Sequence, residues 1–132
     1  MADASPFYKL NIPPERHVLV PAGRLQQFVR DAAIRLRVPD DQAELLAELL
    51  TGNDLRGVHS HGTRQIAGYA PELEQGNLNV APKPRVMRET PVSSMVDGDG
   101  GLGYFAAHLA TERAIAKARE TGVAVAVSGG VL

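Results

Sequence analysis

Two apolar stripes of helical period stand on either side of one proline and constrain this 132-residue chain more than any other feature. Leu25, Phe28, Val29, Ala32, Ala33 and Leu36 recur at the spacing of one helix face. Pro39 ends that run, because the residue before a proline is pushed out of the helical region. Ala43, Leu46, Ala47 and Leu50, widened by Leu45 and Leu49, make the second stripe. The pattern predicts helices over 23–37 and from Asp40 or Asp41 to Gly52-Asn53, joined by two or three residues as a tight hairpin. Asp41-Gln42-Ala43-Glu44 has the form of a capping box. Arg35 and Arg37 fall in the last turn of the first helix, where the macrodipole favours cations.

A third, shorter helix is predicted over 63–75, before Gly76 and Asn77, with Pro71 inside it as a kink. Past a loop over 77–84 the pattern becomes mixed. Short strands are predicted over 85–89 and 93–96. An Ala-rich helix over 102–121 stops at Gly122, and an alternating β-branched strand covers 123–127. The expected organisation is an irregular arm over 1–20, a helical lobe over 21–79 and the start of an α/β segment over 80–132. Its separation of helices from strands makes the class α/β with an α+β-like character.

Composition removes several classes of function. Fourteen Lys and Arg against fifteen Asp and Glu leave a net charge of −1, unlike a basic nucleic-acid binder. The absence of Cys excludes a disulfide framework and any thiolate chemistry, and the absence of Trp with 5% aromatics argues against base-stacking platforms. The first residues carry no apolar signal region, and the longest apolar run, over 123–127, is far too short to span a membrane. The expectation is a soluble, cytoplasmic protein without membrane or nucleic-acid partners.

The densest polar cluster is Asn53 to Gln65, with two His, a Ser, an Asp and two Arg bracketed by Gly57 and Gly62 at a junction between helices. His61 stands just before the third helix, with Arg64, Gln65 and, about two turns on, Tyr69 expected on its side. This set suits a small anionic carbonyl compound. Imidazole exchanges protons near neutral pH, guanidinium grips a carboxylate with paired hydrogen bonds, and the Ser60 hydroxyl can steady a carbonyl or alkoxide oxygen. A plainer reading makes His61 a capping or surface residue. A third reading makes His59, His61 and Asp54 the ligands of a metal hydrolase. His17 and His108 read as structural or solvated.

Gly98-Asp99-Gly100-Gly101-Leu102-Gly103 matches the dinucleotide-loop pattern between a strand and a helix. The strand over 123–127 carries no acidic residue for a ribose, and Asp97 and Asp99 place negative charge where phosphates would lie. The alternative is a glycine-rich turn in which the Asp side chains bond backbone amides.

The strings NDLRGVHSHGTRQIAGY, LEQGNLN, PKPRV and VDGDGGLG, spread over about Val20 to Val127, make the chain similar to the N-terminal part of the type 2 malate/L-lactate dehydrogenase family. The resemblance implies interconversion of 2-keto and 2-hydroxy acids with NAD or NADP, on a largely antiparallel, non-Rossmann cofactor domain. It implies that His61 is the proton donor, with Ser60 beside it and Tyr69 at an aromatic position near the substrate. The family's substrate-binding Arg usually stands four residues after that His. Here Gln65 holds the place and Arg64 precedes it, a rotation of about 100° on a helix. The family continues past the last strand into an Asn-rich segment with a second His, whereas this chain ends in SGGVL. The expectation is a truncated chain of little activity by itself, partnered by a homo-oligomeric copy or by a missing C-terminal portion. The alternative function is a non-catalytic module, its hairpin and unfinished strand edge seeking another chain by dimerisation or strand addition.

Overall fold

The computed structural model describes residues 18–131. The arm expected over 1–20, including His17, falls outside them except for Val18, Leu19 and Val20, which are irregular and exposed. The chain divides at Pro71 into two compact units.

In the first unit α1 (Ala22–Arg35) packs on α2 (Asp40–Leu55) as a hairpin. Val29, Ala33, Val38, Ala43, Leu46, Ala47 and Leu50 fill the seam. The first stripe divides its work. Val29 and Ala33 are buried, while Leu25, Phe28, Ala32 and Leu36 wall an open apolar groove of about 640 Å³. Helix α1 ends two residues earlier than the sequence pattern predicts. Arg37 adopts a left-handed φ of 69°, and the Arg37 and Val38 amides close onto the Ile34 and Ala33 carbonyls. This left-handed closure seats Val38 in the core immediately before Pro39.

The capping box does not form. Pro39 precedes the helix and no side chain caps it. The Glu44 carboxylate instead crosses the hairpin to Arg30 at 2.9 Å and to Gln26 at 3.3 Å. Nor does Gly52 end α2, which runs on to Leu55. The left-handed residue is Gly57, φ 77°, and the Gly57 and Val58 amides close onto the Asp54 and Asn53 carbonyls. The third helix begins as two 3₁₀ turns, His59–His61 and Thr63–Gln65, which lead into α3 (Ile66–Glu74) with Pro71 inside it.

In the second unit β1 (Arg85–Thr90) and β2 (Ser93–Asp97) form an antiparallel hairpin, pairing Arg85 with Asp97 and Thr90 with Ser93 around a bulge at Met87. Helix α4 (Gly103–Thr121) returns the chain to β3 (Val125–Gly129), which pairs parallel to β2 from Ser93–Val125 to Asp97–Gly129. The order is β1-β2-β3, a mixed sheet with β2 central. Val96, Ala106 and Ala110 form the core, joined by Val86, Leu109 and Ala126. Strand β3 lies two residues later than expected, because Gly122 ends α4 in a left-handed turn and residues 123 and 124 complete the reversal. Small Ala126 faces α4, while Val125 and Val127 stay exposed. No helix among the described residues is long and apolar enough to cross a membrane.

Arg37 holds a conformation that disfavours a β-carbon, so Arg37→Gly should stabilise the fold by about 0.5–1 kcal/mol in urea unfolding. A neutral or destabilising result would show that the Arg37 side chain contributes more than its backbone strain costs.

Candidate active site

The last turn of α2 is the platform of the polar cluster. By running past Gly52, the helix carries Asn53 and Asp54 up against the segment that follows. Gly57 then turns the chain back, and residues 59–65 descend alongside that turn. Asn53 Nδ2 donates to the His61 carbonyl at 2.9 Å. Asp54 Oδ2 accepts from the Thr63 amide at 2.9 Å and from the Thr63 hydroxyl at 2.6 Å. Asp54 Oδ1 lies 3.2 Å from His59 Nδ1, and because an ionised carboxylate only accepts, the His59 proton sits on that nitrogen. Gly62 is buried between these contacts, and a β-carbon there would overlap the Asp54 carboxylate.

Burial alone would raise the Asp54 pKa. The bonds from the Thr63 hydroxyl, the Thr63 amide and His59 together outweigh it, so the carboxyl titrates below its ordinary value. Asp54 is therefore a fixed anion at neutral pH, occupied in holding the turn.

Ser60 and His61 point outward from this support. Ser60 Oγ lies 2.9 Å from His61 Nδ1, with the direction of donation set by the tautomer. The His61 ring is exposed, and its Nε2 has no partner among the described residues. Ser60, Arg64, Gln65, Ala67 and Gly68 line a cleft of about 440 Å³. The Gln65 amide donates to the Ser60 carbonyl at 2.5 Å, so Gln65 is engaged in holding the turn. Arg64 is exposed and has no acidic partner among the described residues. The arrangement combines an imidazole nitrogen able to exchange a proton, a hydroxyl on its other nitrogen and a guanidinium open to an anion.

The structure thus brings Ser60 and Arg64 to one cleft; His61 does not line it and adjoins it through its contact with Ser60 Oγ. Tyr69 is half-buried on α3 and does not line this cleft; the two 3₁₀ turns break the helical spacing that would have set it above His61. His59 is held by Asp54, and among the described residues no three His, Asp or Glu side chains gather as metal ligands. His108 is exposed on α4. The role of Thr63 and Asn53 in shaping the turn escapes the sequence reading. The available signal was Gly57 with Val58 behind it, a left-handed helix end that would have placed 53 and 54 in the final turn.

The glycine-rich segment before α4 does not fit a dinucleotide phosphate. The Gly98 and Gly100 amides donate to the Gly129 and Gly130 carbonyls at 2.8 Å, and the Gly101 amide to the Gly98 carbonyl at 3.1 Å. The Asp99 amide donates to Asp97 Oδ1 at 3.3 Å. Asp99 Oδ2 accepts from the Lys83 amide at 3.0 Å and from Asn79 Nδ2 at 3.1 Å. The amides of residues 98–101 are thus engaged within the turn and with the end of β3, beside two carboxylates.

This fold and cluster define a class. The family model described as malate/L-lactate dehydrogenase matches residues 20–130, and the chain belongs to that family. It is 37% identical over 114 residues to malate dehydrogenase of Pyrococcus horikoshii, covering 86% of this chain and 32% of that protein. The structure of the Pyrococcus horikoshii enzyme superposes with a TM-score of 0.82 at 36% identity, over 89% of this chain and 34% of that one. L-sulfolactate dehydrogenase of Methanocaldococcus jannaschii is 34% identical over 100 residues, 76% of this chain and 29% of its own length. Ureidoglycolate dehydrogenase (NAD(+)) of Escherichia coli strain K12 is 33% identical over 101 residues, again 76% of this chain and 29% of its own. The chain spans about a third of the length of these relatives.

Two tests follow from the geometry. Gly62→Ala should destabilise the first unit by about 1–3 kcal/mol, since the new methyl group must displace the Asp54 carboxylate; an unchanged melting temperature would mean that the turn is not closed as described. The second uses pH. A carboxylate held below its ordinary value contributes stability that is complete above the unfolded pKa and is lost as pH falls through the lower folded one. The stability advantage over Asp54→Asn should therefore be full at neutral pH and shrink below about pH 4 in denaturant titrations. An advantage that grows on acidification would contradict the assignment.

Proposed function

We propose that this chain is the proton-transfer lobe of an oxidoreductase interconverting a 2-keto acid and a 2-hydroxy acid. His61 gives its proton to the ketone oxygen on reduction and recovers it on oxidation. Arg64 holds the substrate carboxylate, and Ser60 sets the tautomer and orientation of the His61 ring. Tyr69, outside the Ser60 cleft, is carried over from the resemblance as a flanking group for a substrate that extends beyond that cleft. The observation that carries this reading is an exposed His61 supported by Ser60, whose cleft also holds Arg64, a guanidinium with no acidic partner among the described residues. Family membership supports the reaction class, and one relative's name supplies NAD(+). NAD or NADP is thus the proposed hydride carrier. The amides of residues 98–101 are already engaged, and the hydride step is left to the bound cofactor.

Within this reading, Arg64 takes the task that the resemblance gives to the next position. Gln65 is committed to the Ser60 carbonyl, and Arg64 lies in the same cleft. A second reading, docking of the helical hairpin on another chain, draws on the open groove walled by Leu25, Phe28, Ala32, Leu36 and Ile66. The two are compatible, since an oxidoreductase lobe can also dock. A monodisperse monomer at high concentration would count against the docking.

The test is calorimetric titration of the chain with a panel of 2-keto acids. Arg64→Ala should weaken binding by about tenfold or more, the loss of a charge-assisted carboxylate contact, and His61→Gln should weaken it less. Turnover of NAD(P)H by the chain alone should be negligible. Absence of 2-keto acid binding, or binding indifferent to Arg64, overturns the proposal.

A further inference from the structure

His61 is exposed, so its own packing cannot fix the direction of its ring. Its backbone belongs to a three-residue 3₁₀ turn, a weak element by itself, flanked by Gly57 and Gly62. Gln65 holds that turn at the Ser60 carbonyl, and its other side-chain ties come from two adjacent residues of α2. Asp54 binds His59 before the Ser60–His61 pair and Thr63 after it, and Asn53 binds the His61 carbonyl between them. We propose that Asn53 and Asp54 are positioning residues for proton transfer, the last turn of α2 acting as a template that fixes the His61 ring against Ser60 Oγ and leaves Nε2 open to substrate.

The inference rests on His61 being the proton-transfer group. It adds that neither residue touches substrate; both act through the backbone of 59–63. Such support matters because misplacing a reacting group by about 1 Å can cost a hundredfold in rate. The chemistry of Asp54 is also specific. Asparagine could still accept from Thr63, but its amide would then turn a donor toward His59 Nδ1, which keeps that contact only by moving the His59 proton to Nε2 and loses the charge of the carboxylate. Thr63 supplies two of the bonds to Asp54, one of them from its hydroxyl. Thr63→Val therefore removes a bond that Thr63→Ser retains.

The experiment is ring ¹⁵N–¹H correlation NMR of the wild-type chain and of Asp54→Asn, Asn53→Ala, Thr63→Val and Thr63→Ser. Each is also titrated with a 2-keto acid, and helix content is followed by circular dichroism. In the wild type His61 should show one fixed tautomer. In Asp54→Asn, Asn53→Ala and Thr63→Val the His61 signals should move toward the averaged pattern of a free ring, with 2-keto acid binding weakened up to the extent seen in His61→Gln, at unchanged helix content. Thr63→Ser should restore both. Should Asp54→Asn fail to fold, Asn53→Ala and the Thr63 pair decide. Unchanged His61 ring signals in these folded variants would overturn the template. If the ring responds as expected but the wild type binds no 2-keto acid, the template stands and the proton-transfer reading falls.

Discussion

Both ends of the segment from His59 to Thr63 are tied to a single carboxylate, that of Asp54. The arrangement of Ser60, His61, Arg64 and Gln65 follows from this tie. The bonds keep the carboxyl ionised despite its partial burial, and Gly62 must lack a β-carbon for the chain to pass beside it. Asp54 reaches this position only because α2 continues one turn beyond Gly52 and closes at Gly57. A helix end thus determines where the candidate acid–base group stands.

The second unit contributes a different kind of structure. Its antiparallel hairpin, α4 and parallel edge strand form a small sheet-and-helix layer. Its glycine-rich turn is closed by hydrogen bonds of its own and to the end of β3. A turn whose amides bond its own residues and the neighbouring strand end is a joint between strand and helix, and the G-x-G-x-x-G spelling arises from geometry shared with nucleotide loops. The two carboxylates beside it make the same point electrostatically, because Asp99 receives amide hydrogens where a phosphate would compete for them.

Much of this was legible in the sequence where one physical rule acts alone. The Leu46–Leu50 stripe, the Pro39 break, the strands at Arg85 and Ser93 and the left-handed stop at Gly122 each follow from periodicity or backbone sterics. Misreadings arose where two rules competed. Glu44 could have capped α2, but Arg30 across the hairpin offers it a charge. Gly52 could have ended α2, but Gly57 with Val58 closes it with two backbone bonds. The motif that names the site was readable residue by residue. The contacts that shape it were not, because Asn53, Asp54 and Thr63 meet only through that unforeseen helix end. The 3₁₀ turns likewise shift the angular relation of His61 to Tyr69, which no 3.6-residue count could anticipate.

In the proposed reaction His61 Nε2 meets the ketone oxygen of a 2-keto acid whose carboxylate lies on Arg64. A crystal structure of the chain with oxamate, an unreactive 2-keto acid mimic, tests it most directly. The carboxylate should pair with the Arg64 guanidinium and the adjacent carbonyl oxygen should lie about 3 Å from His61 Nε2. Oxamate bound in the Ser60 cleft with His61 turned away from it, or bound elsewhere on the molecule, would contradict the claim.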